Sequence, residues 1–404
     1  MYKRQLVHRN LVMTLFSLLV VVLMLSACGA PSDGSTTGVG EPATDSEAAP
    51  EVQTASDDSV ARHEAPMLVA QVDSGELPPL EERLPVNPKV VTPHEEIGRY
   101  GGNWRLGLLG GDDSALIYRT IGYEQLMRWN LDWTEVEPNI VESVDVSDDA
   151  TEFIFHMREG MKWSDGVAFT ADDILWWYEN IFVDEEITLS PAAFLVVTVD
   201  GEKVRAVFEK VDDYTFTVRF AAPNGMFLSQ LAASNGRPLI PRPAHWLQQF
   251  HLDFNPDAST LAEEAGFESW VALIQDRMSD DAFFRFVEMP TLNPWMIVQP
   301  YGTSTIQVQA VRNPYYWKVD PEGNQLPYID QVTFEVGEDV NTLVLKTLNG
   351  EIDNQGRHIS TNENKAVFFD SQEAGDYRII EQLSTGSNFM VLNLNLLHKD
   401  PVMR

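Results

Sequence analysis

The chain has 404 residues, of which 44% are apolar and 22% charged, enough for two or three packed structural units and unlike a wholly disordered, collagen-like or polytopic membrane chain. Lys plus Arg number 28 against 61 Asp plus Glu, a formal net charge of −33 that repels phosphate backbones and excludes nucleic acid as a partner. One cysteine rules out an intramolecular disulfide, a Cys-rich zinc site and an iron-sulfur site, so stability must come from packing.

The first element is an export signal over residues 1–27. Lys3, Arg4 and Arg9 form a basic start, Leu11 to Leu25 is an apolar run, and Leu25-Ser26-Ala27-Cys28 follows. About 15 apolar residues make roughly 22 Å of helix, short of the ~30 Å a stable span needs. This ending resembles the bacterial lipoprotein pattern, which implies that Cys28 is the lipidated first residue of the mature chain and that the membrane is reached by the lipid anchor alone. Residues 28–97 are rich in Pro, Ser, Gly and acidic side chains and read as a disordered linker, with the folded body expected from Tyr100-Gly101-Gly102 onward.

The body reads as α/β with hairpins. Trp104 to Leu109 alternates as a strand before Gly110 and Gly111, and Ser114 to Met127 suits helix or helical turns. Glu152 to Met157 alternates again and leads into glycine-marked turns at Gly160 and Gly166. Thr170, with Asp173 three positions on, is an expected N-cap for a helix from Ala171 to Ile181, whose Trp176-Trp177-Tyr178 reads as packing rather than a ligand platform. Val204 to Phe208 and Tyr214 to Phe220 flank a turn at Asp212-Asp213 as a hairpin; Gln307 to Val311 and Gln331 to Val336 read as strands around a loop from Asn313 to Pro327.

Catalytic signatures are missing. There is no Gly-Lys-Ser/Thr phosphate loop, His-Glu-x-x-His or Gly-x-Ser-x-Gly elbow, so no cofactor is expected. His245 and His251 are the nearest ordered histidine pair and read as surface or helix-end residues, giving no metal site. Asp112-Asp113 beside a glycine turn leaves solvated turn residues, ligand contacts and a glycosidase carboxylate pair open.

The run from Phe153 to Ile174, containing Met161-Lys-Trp-Ser-Asp-Gly166 and Phe169-Thr-Ala-Asp-Asp-Ile174, resembles the signature stretch of the family 5 extracellular solute-binding proteins of ABC transporters. Further blocks follow in family order: Val211 to Val218, Arg312-Asn-Pro-Tyr-Tyr-Trp317, Leu326-Pro-Tyr-Ile-Asp330, Leu348-Asn-Gly-Glu-Ile-Asp353 and Phe389 to Asn395. The resemblance implies the α/β, two-lobe periplasmic-binding-protein type II architecture, with a cleft that closes on ligand and a receptor that docks on an ABC permease. By it, the chain holds mainly lobe one: a first segment at 98–130, a subdomain with hairpins and helix at 131–240, a return segment at 241–398 and the start of lobe two at 399–404. Thr291-Leu-Asn-Pro-Trp295 departs from the Gly-Thr-Gly-Pro-Tyr of many relatives. The implied protein is a monomeric, lipid-anchored, extracytoplasmic receptor, not an enzyme, delivering oligopeptides. An oligosaccharide receptor, favoured by ten tryptophans, and a secreted acidic hydrolase are the alternatives.

In such a fold, ligand lies beyond the carboxyl ends of the strands, so contacts come from the loops that follow them. The loops selected by the resemblance supply Gly111, Asp112 and Asp113, Asn293 and Trp295, Gln355 and Arg357, and Asn388. Asp112 or Asp113 is expected to accept from an ammonium or hydroxyl, Trp295 to offer a stacking face, Arg357 to clamp a carboxylate or hydroxyl pair, and Asn388 to use its amide. A local salt bridge from Arg357 to Asp353 or Glu351 is the competing expectation.

Overall fold

A computed structural model describes residues 64–110, 113–233, 242–302 and 304–381. Two four-stranded sheets carry the architecture. In the first, Val141–Val146, Glu152–Met157, Thr215–Arg219 and Val207–Asp212 lie side by side, all antiparallel. Alternation in Glu152–Met157 sends Phe153, Phe155 and Met157 inward, where they meet Phe208, Phe216, Val218 and Phe227. The second sheet is mixed: Trp295–Gln299, Gln307–Arg312 and Gln331–Gly337 are antiparallel neighbours, and Gln331–Gly337 runs parallel to Asn103–Leu109 at the edge. Its inward residues Leu106, Leu108, Val308, Ala310, Val332 and Phe334 pack on a helical layer that includes Trp246, Ile274, Phe283 and Phe284.

The helix Ala171–Trp177 joins the two cores. Thr170 and Asp173 form the expected capping box, with the Thr170 amide donating to the Asp173 carboxylate at 3.2 Å. Beyond Trp177 the helix widens into a π turn, Tyr178–Phe182. Ile174 and Leu175 enter the first core, Trp176 the second, and Trp177 touches both, so the aromatic trio is packing. Trp163 is fully buried against Phe169.

Three local expectations change. The helix after Ser114 is only Ala115–Thr120, and Gly122 lies so close to the Phe284 ring that a Cβ there would collide with it. The strand expected at Val204 to Phe208 is two strands: Glu202–Arg205 pairs with Val196–Val199, and Val207–Asp212 with Thr215–Arg219. The loop Asn313 to Pro327 contains the short strand Lys318–Val319.

That strand corrects the linker. Lys89–Val90 pairs with it in parallel, and helices at Pro66–Asp73 and Leu80–Arg83 precede it, so residues 64–97 are part of the folded body. Leu68 and Leu80 are buried, and the fully buried Arg83 ion-pairs with Glu64 and donates to the carbonyls of Pro78 and Pro314. Prolines and acidic residues dominate the local composition, but the few apolar and basic side chains find partners more than 200 residues away. Among the described residues, no helix is long and apolar enough to cross a membrane.

Candidate functional site

The carboxyl ends of the two parallel strands, Leu109 and Gly337, lie side by side, with the Gly110 amide donating to the Gly337 carbonyl at 3.0 Å. Asn103–Leu109 is the edge strand, and the segment 352–359 covers that edge. The Asp353 amide donates to the Arg105 carbonyl at 2.8 Å, while its carboxylate accepts from the Arg105 amide at 2.7 Å and pairs with the Arg105 guanidinium at 2.5 Å. Two residues on, the Gln355 side chain replaces a strand rung: its Oε1 accepts from the Gly107 amide at 3.1 Å, and its Nε2 donates to the Gly107 carbonyl at 3.2 Å. Glycine at 107 leaves room for the side chains packed over this strand, since a Cβ there would lie 2.8 Å from Leu343 and 2.9 Å from Ile352.

Two residues further, Arg357 reaches the strand end. Its Nε donates to Asp113 Oδ1 at 2.7 Å, and Nε2 of His358 bonds Asp113 Oδ2, also at 2.7 Å. The Leu109 amide donates to the same Oδ2 at 3.2 Å. Asp113 is thus a buried carboxylate with three partners, while Arg357 and His358 remain partly exposed. Burial alone would push the Asp113 carboxyl up; hydrogen bonds from Arg357, the Leu109 amide and His358 outweigh it and hold its pKa below the ordinary value. The His358 backbone has φ +68°, a left-handed conformation rare outside glycine, at the point where its ring turns onto Asp113. Nη1 and Nη2 of Arg357 make no hydrogen bond to a described residue.

The structure brings together Asp113, Gln355 and Arg357. Asp113 is neither a solvated turn residue nor an open acceptor, because neighbouring donors occupy both its oxygens. The salt bridge of Arg357 goes to Asp113, while Asp353 pairs with Arg105 and Glu351 with Lys346. Asn293 and Trp295 lie elsewhere. Trp295 pairs in register with Arg312, one row beyond the amino end of Asn103, so it stands about 20 Å along the sheet from Leu109 at ~3.3 Å per residue. Its indole donates to the Ile329 carbonyl and leans on Trp104. Asn293 is buried in a turn, its amide on Thr291 and its carbonyl held by Asn313. Gly111, Asp112, Asn388 and Cys28 lie outside the described residues. His245 bonds Asp165 at 2.8 Å, and His251 is buried among Trp176, Phe254 and Trp270.

His358 was absent from the expected contacts. Its signal was available in part: Asp353, Gln355 and Arg357 alternate, as residues facing one strand edge must. The positive φ that turns His358 back leaves no such trace.

A family model described as bacterial extracellular solute-binding proteins, family 5 Middle, matches residues 135–404. The periplasmic alpha-galactoside-binding protein of Rhizobium meliloti (strain 1021) is 31% identical over 288 residues, covering 66% of this chain and 38% of that protein. The dipeptide-binding protein of Escherichia coli (strain K12) is 27% identical over 119 residues, covering 27% of this chain and 22% of that one. A solved oligopeptide-binding protein OppA superposes with a TM-score of 0.71 at 35% identity, covering 79% of this chain and 49% of its own. The periplasmic binding protein MelB of Agrobacterium fabrum C58, solved with stachyose, gives 0.59 at 25% identity, covering 80% and 48%. The chain spans half or less of the length of each of these relatives.

Proposed function

We propose that this chain, which belongs to the bacterial extracellular solute-binding proteins of family 5, forms most of the first lobe of an extracytoplasmic receptor that captures oligopeptides for an ABC import permease. The observation that carries the ligand class is the Arg357 guanidinium, fixed through Nε by Asp113 at the carboxyl ends of two parallel strands, with no hydrogen bond from its terminal nitrogens to a described residue. A fixed guanidinium at a strand end suits a ligand bearing acceptor oxygens, and peptides supply them at every carbonyl and at the terminus. The superposition on an oligopeptide-binding protein supports the same reading. The receptor works by binding rather than turnover, as a monomer, and Cys28 tethers it to the envelope through a lipid.

A second reading, an oligosaccharide receptor, is favoured by the similarity to an alpha-galactoside-binding protein over 288 residues and to a protein solved with stachyose. Native mass spectrometry of the purified protein with a mixed tetrapeptide pool and with stachyose separates the two. The expected result is retention of intact tetrapeptides; retention of stachyose alone selects the second reading, and hydrolysis of either probe overturns the receptor. For the tether, Cys28→Ser is expected to abolish lipid labelling and release soluble protein, and unchanged membrane retention overturns it.

A further inference from the structure

We infer that the hairpin tip carrying Leu131 and Trp133 is a docking knob for a protein partner whose surface offers an apolar socket rimmed by Lys or Arg. The inference goes beyond the ligand reading and does not depend on which solute the receptor takes.

Met127–Trp129 and Val136–Pro138 pair as antiparallel strands, and residues 130–135 make the turn between them. Asn130 fixes that turn. Its amide donates to the Glu135 carbonyl at 2.9 Å, its Oδ1 accepts from the Thr134 and Glu135 amides at 2.9 and 3.3 Å, and its Nδ2 donates to Thr134 Oγ1 at 2.9 Å. The Trp133 amide donates to the Asn130 carbonyl at 3.1 Å. On this fixed loop Leu131 is 78% and Trp133 69% exposed. The chain has ten tryptophans, and all the others are buried or half-buried. Trp129, at the base of the tip, packs on the first core, and the Trp133 ring stacks beside it with centroids 6.1 Å apart and planes 17° apart.

The backbone at Trp133 has φ +57°, a left-handed conformation that Asn or Gly takes readily and a bulky side chain does not. A turn shaped by its own stability alone would carry Asn or Gly there, so the indole answers to something outside the turn. Residues 131–135 are all exposed, so the tip projects rather than encloses, whereas small solutes are held in concave sites. The occupant is therefore a macromolecular surface, and tryptophan is the side chain that most often anchors the centre of a protein interface.

Charge selects the partner's chemistry. Asp132 and Glu135 flank the indole, both exposed, and neither is in an ion pair with a described residue. Glu137, further down the hairpin, is held by Lys89 at 3.0 Å. The hairpin's own cation, Arg128, stands opposite Glu137 in the ladder and over the Tyr123 ring. These carboxylates, on a chain of formal net charge −33, repel an anionic lipid surface and a second copy of the chain alike. A basic surface is attracted instead: its cations pair with Asp132 and Glu135 or lie over the exposed indole, while Leu131 and Trp133 fill the socket between them.

Two measurements on the full chain test this. Trp133→Asn removes the indole and gives the left-handed position to a residue that accepts it, so the thermal midpoint is expected to equal or exceed that of wild type. A fall of more than about 3 °C shows that the indole holds the hairpin together and overturns the assignment. The second measurement is binding, by interferometry at low salt, of two end-blocked dodecapeptide pools with equal Leu and Phe content, one rich in Arg and Lys and the other in Asp and Glu. Wild type is expected to bind the basic pool at least about tenfold more tightly, with the preference shrinking as salt rises. Trp133→Asn and Leu131→Asn are each expected to weaken basic-pool binding at least about fivefold, and Arg357→Ala to leave it unchanged. Basic-pool binding that survives both tip variants, or no preference between the pools, overturns the knob. Binding lost in Arg357→Ala and kept in the tip variants assigns the peptides to the strand-end site, which overturns the knob and leaves the peptide receptor standing. Cosedimentation with phosphatidylcholine or phosphatidylglycerol vesicles that depends on Trp133 makes the tip a membrane element and overturns the protein socket.

Discussion

Asp113 and Arg357 are 244 residues apart in the chain, yet a 2.7 Å hydrogen bond joins them beside the end of the edge strand. The pair ties the first strand of the mixed sheet to the segment that pads its edge. Asp113→Asn leaves one of the three donors facing an amide nitrogen and removes the ion pair, so a loss of about 2 to 3 kcal/mol is expected in urea denaturation at neutral pH. The sign of the pH dependence follows from the depressed carboxyl. Its folded pKa lies below the ordinary 3.8, so its contribution is complete above about pH 4 and disappears as pH falls through the folded value. The gap between wild type and variant should therefore narrow in acid; a gap that widens there contradicts the ion pair.

A second ion pair is fully buried. Glu124 accepts from Lys318 at 2.8 and 2.9 Å, from Tyr316 at 2.7 Å and from Asn139 at 2.8 Å. Burial opposes the Glu124 charge, but Lys318 and the hydrogen bonds overcome it and hold the carboxyl at about 2. Lys318→Met strands that carboxylate and is expected to cost about 3 to 5 kcal/mol, whereas the double variant with Glu124→Leu should recover much of the loss. A double-mutant cycle by chemical denaturation measures the coupling, and additive losses would refute it.

Asp173 behaves in the opposite sense. Burial raises its pKa to about 6, even though Ala244, Thr170 and Trp163 all donate to it. The folded protein keeps this proton to higher pH than the unfolded chain, so stability should decline as pH rises from about 4 to 6. Asp173→Asn turns an amide nitrogen toward those donors and lowers stability at every pH, but it should remove this particular slope. Melting curves across that window check it; an identical slope in the variant assigns the titration to another group.

Arg83 tests the enlarged body. Replacing it by Met leaves Glu64 without its cation and the Pro78 carbonyl without this donor, while the Pro314 carbonyl keeps only the Gln325 side chain. Residues 64–97 should then become sensitive to limited proteolysis under conditions in which the two sheets stay folded. Equal protection in wild type and variant would show that the strand Lys89–Val90 alone holds the segment.

What could be read beforehand was whatever depends on short-range pattern. The alternation of Glu152 to Met157 and the Thr170–Asp173 capping box both have causes within a few residues. Glu64 to Val90 failed for the converse reason. Its composition resembles a linker, and its stability comes from Arg83 and a strand partner at Lys318–Val319, which no local window contains. The site divides in the same way. Gln355 and Arg357, expected as ligand contacts, lie along the edge strand and at its end, whereas Trp295, grouped with them, lies toward the other end, because motif order in the chain says nothing about which end of a sheet a residue occupies. The partner of Arg357 was sought within six residues, and the fold supplied it from the first strand's own loop.

The attachment of residues 64–97 shortens the stretch of chain between the folded body and Cys28. If the lipid is on Cys28, about 36 residues separate it from Glu64, and covalent geometry limits them to ~3.5 Å each, a contour of roughly 125 Å. With the body starting at Tyr100, the same limit would be about twice as long. Residue 64 therefore cannot leave a hemisphere of that radius around its anchor, whatever path the intervening chain takes. On the proposed reading, a permease farther away than that would be met by lateral diffusion of the lipid, so encounter would be a two-dimensional process governed by membrane fluidity rather than by the volume of the compartment.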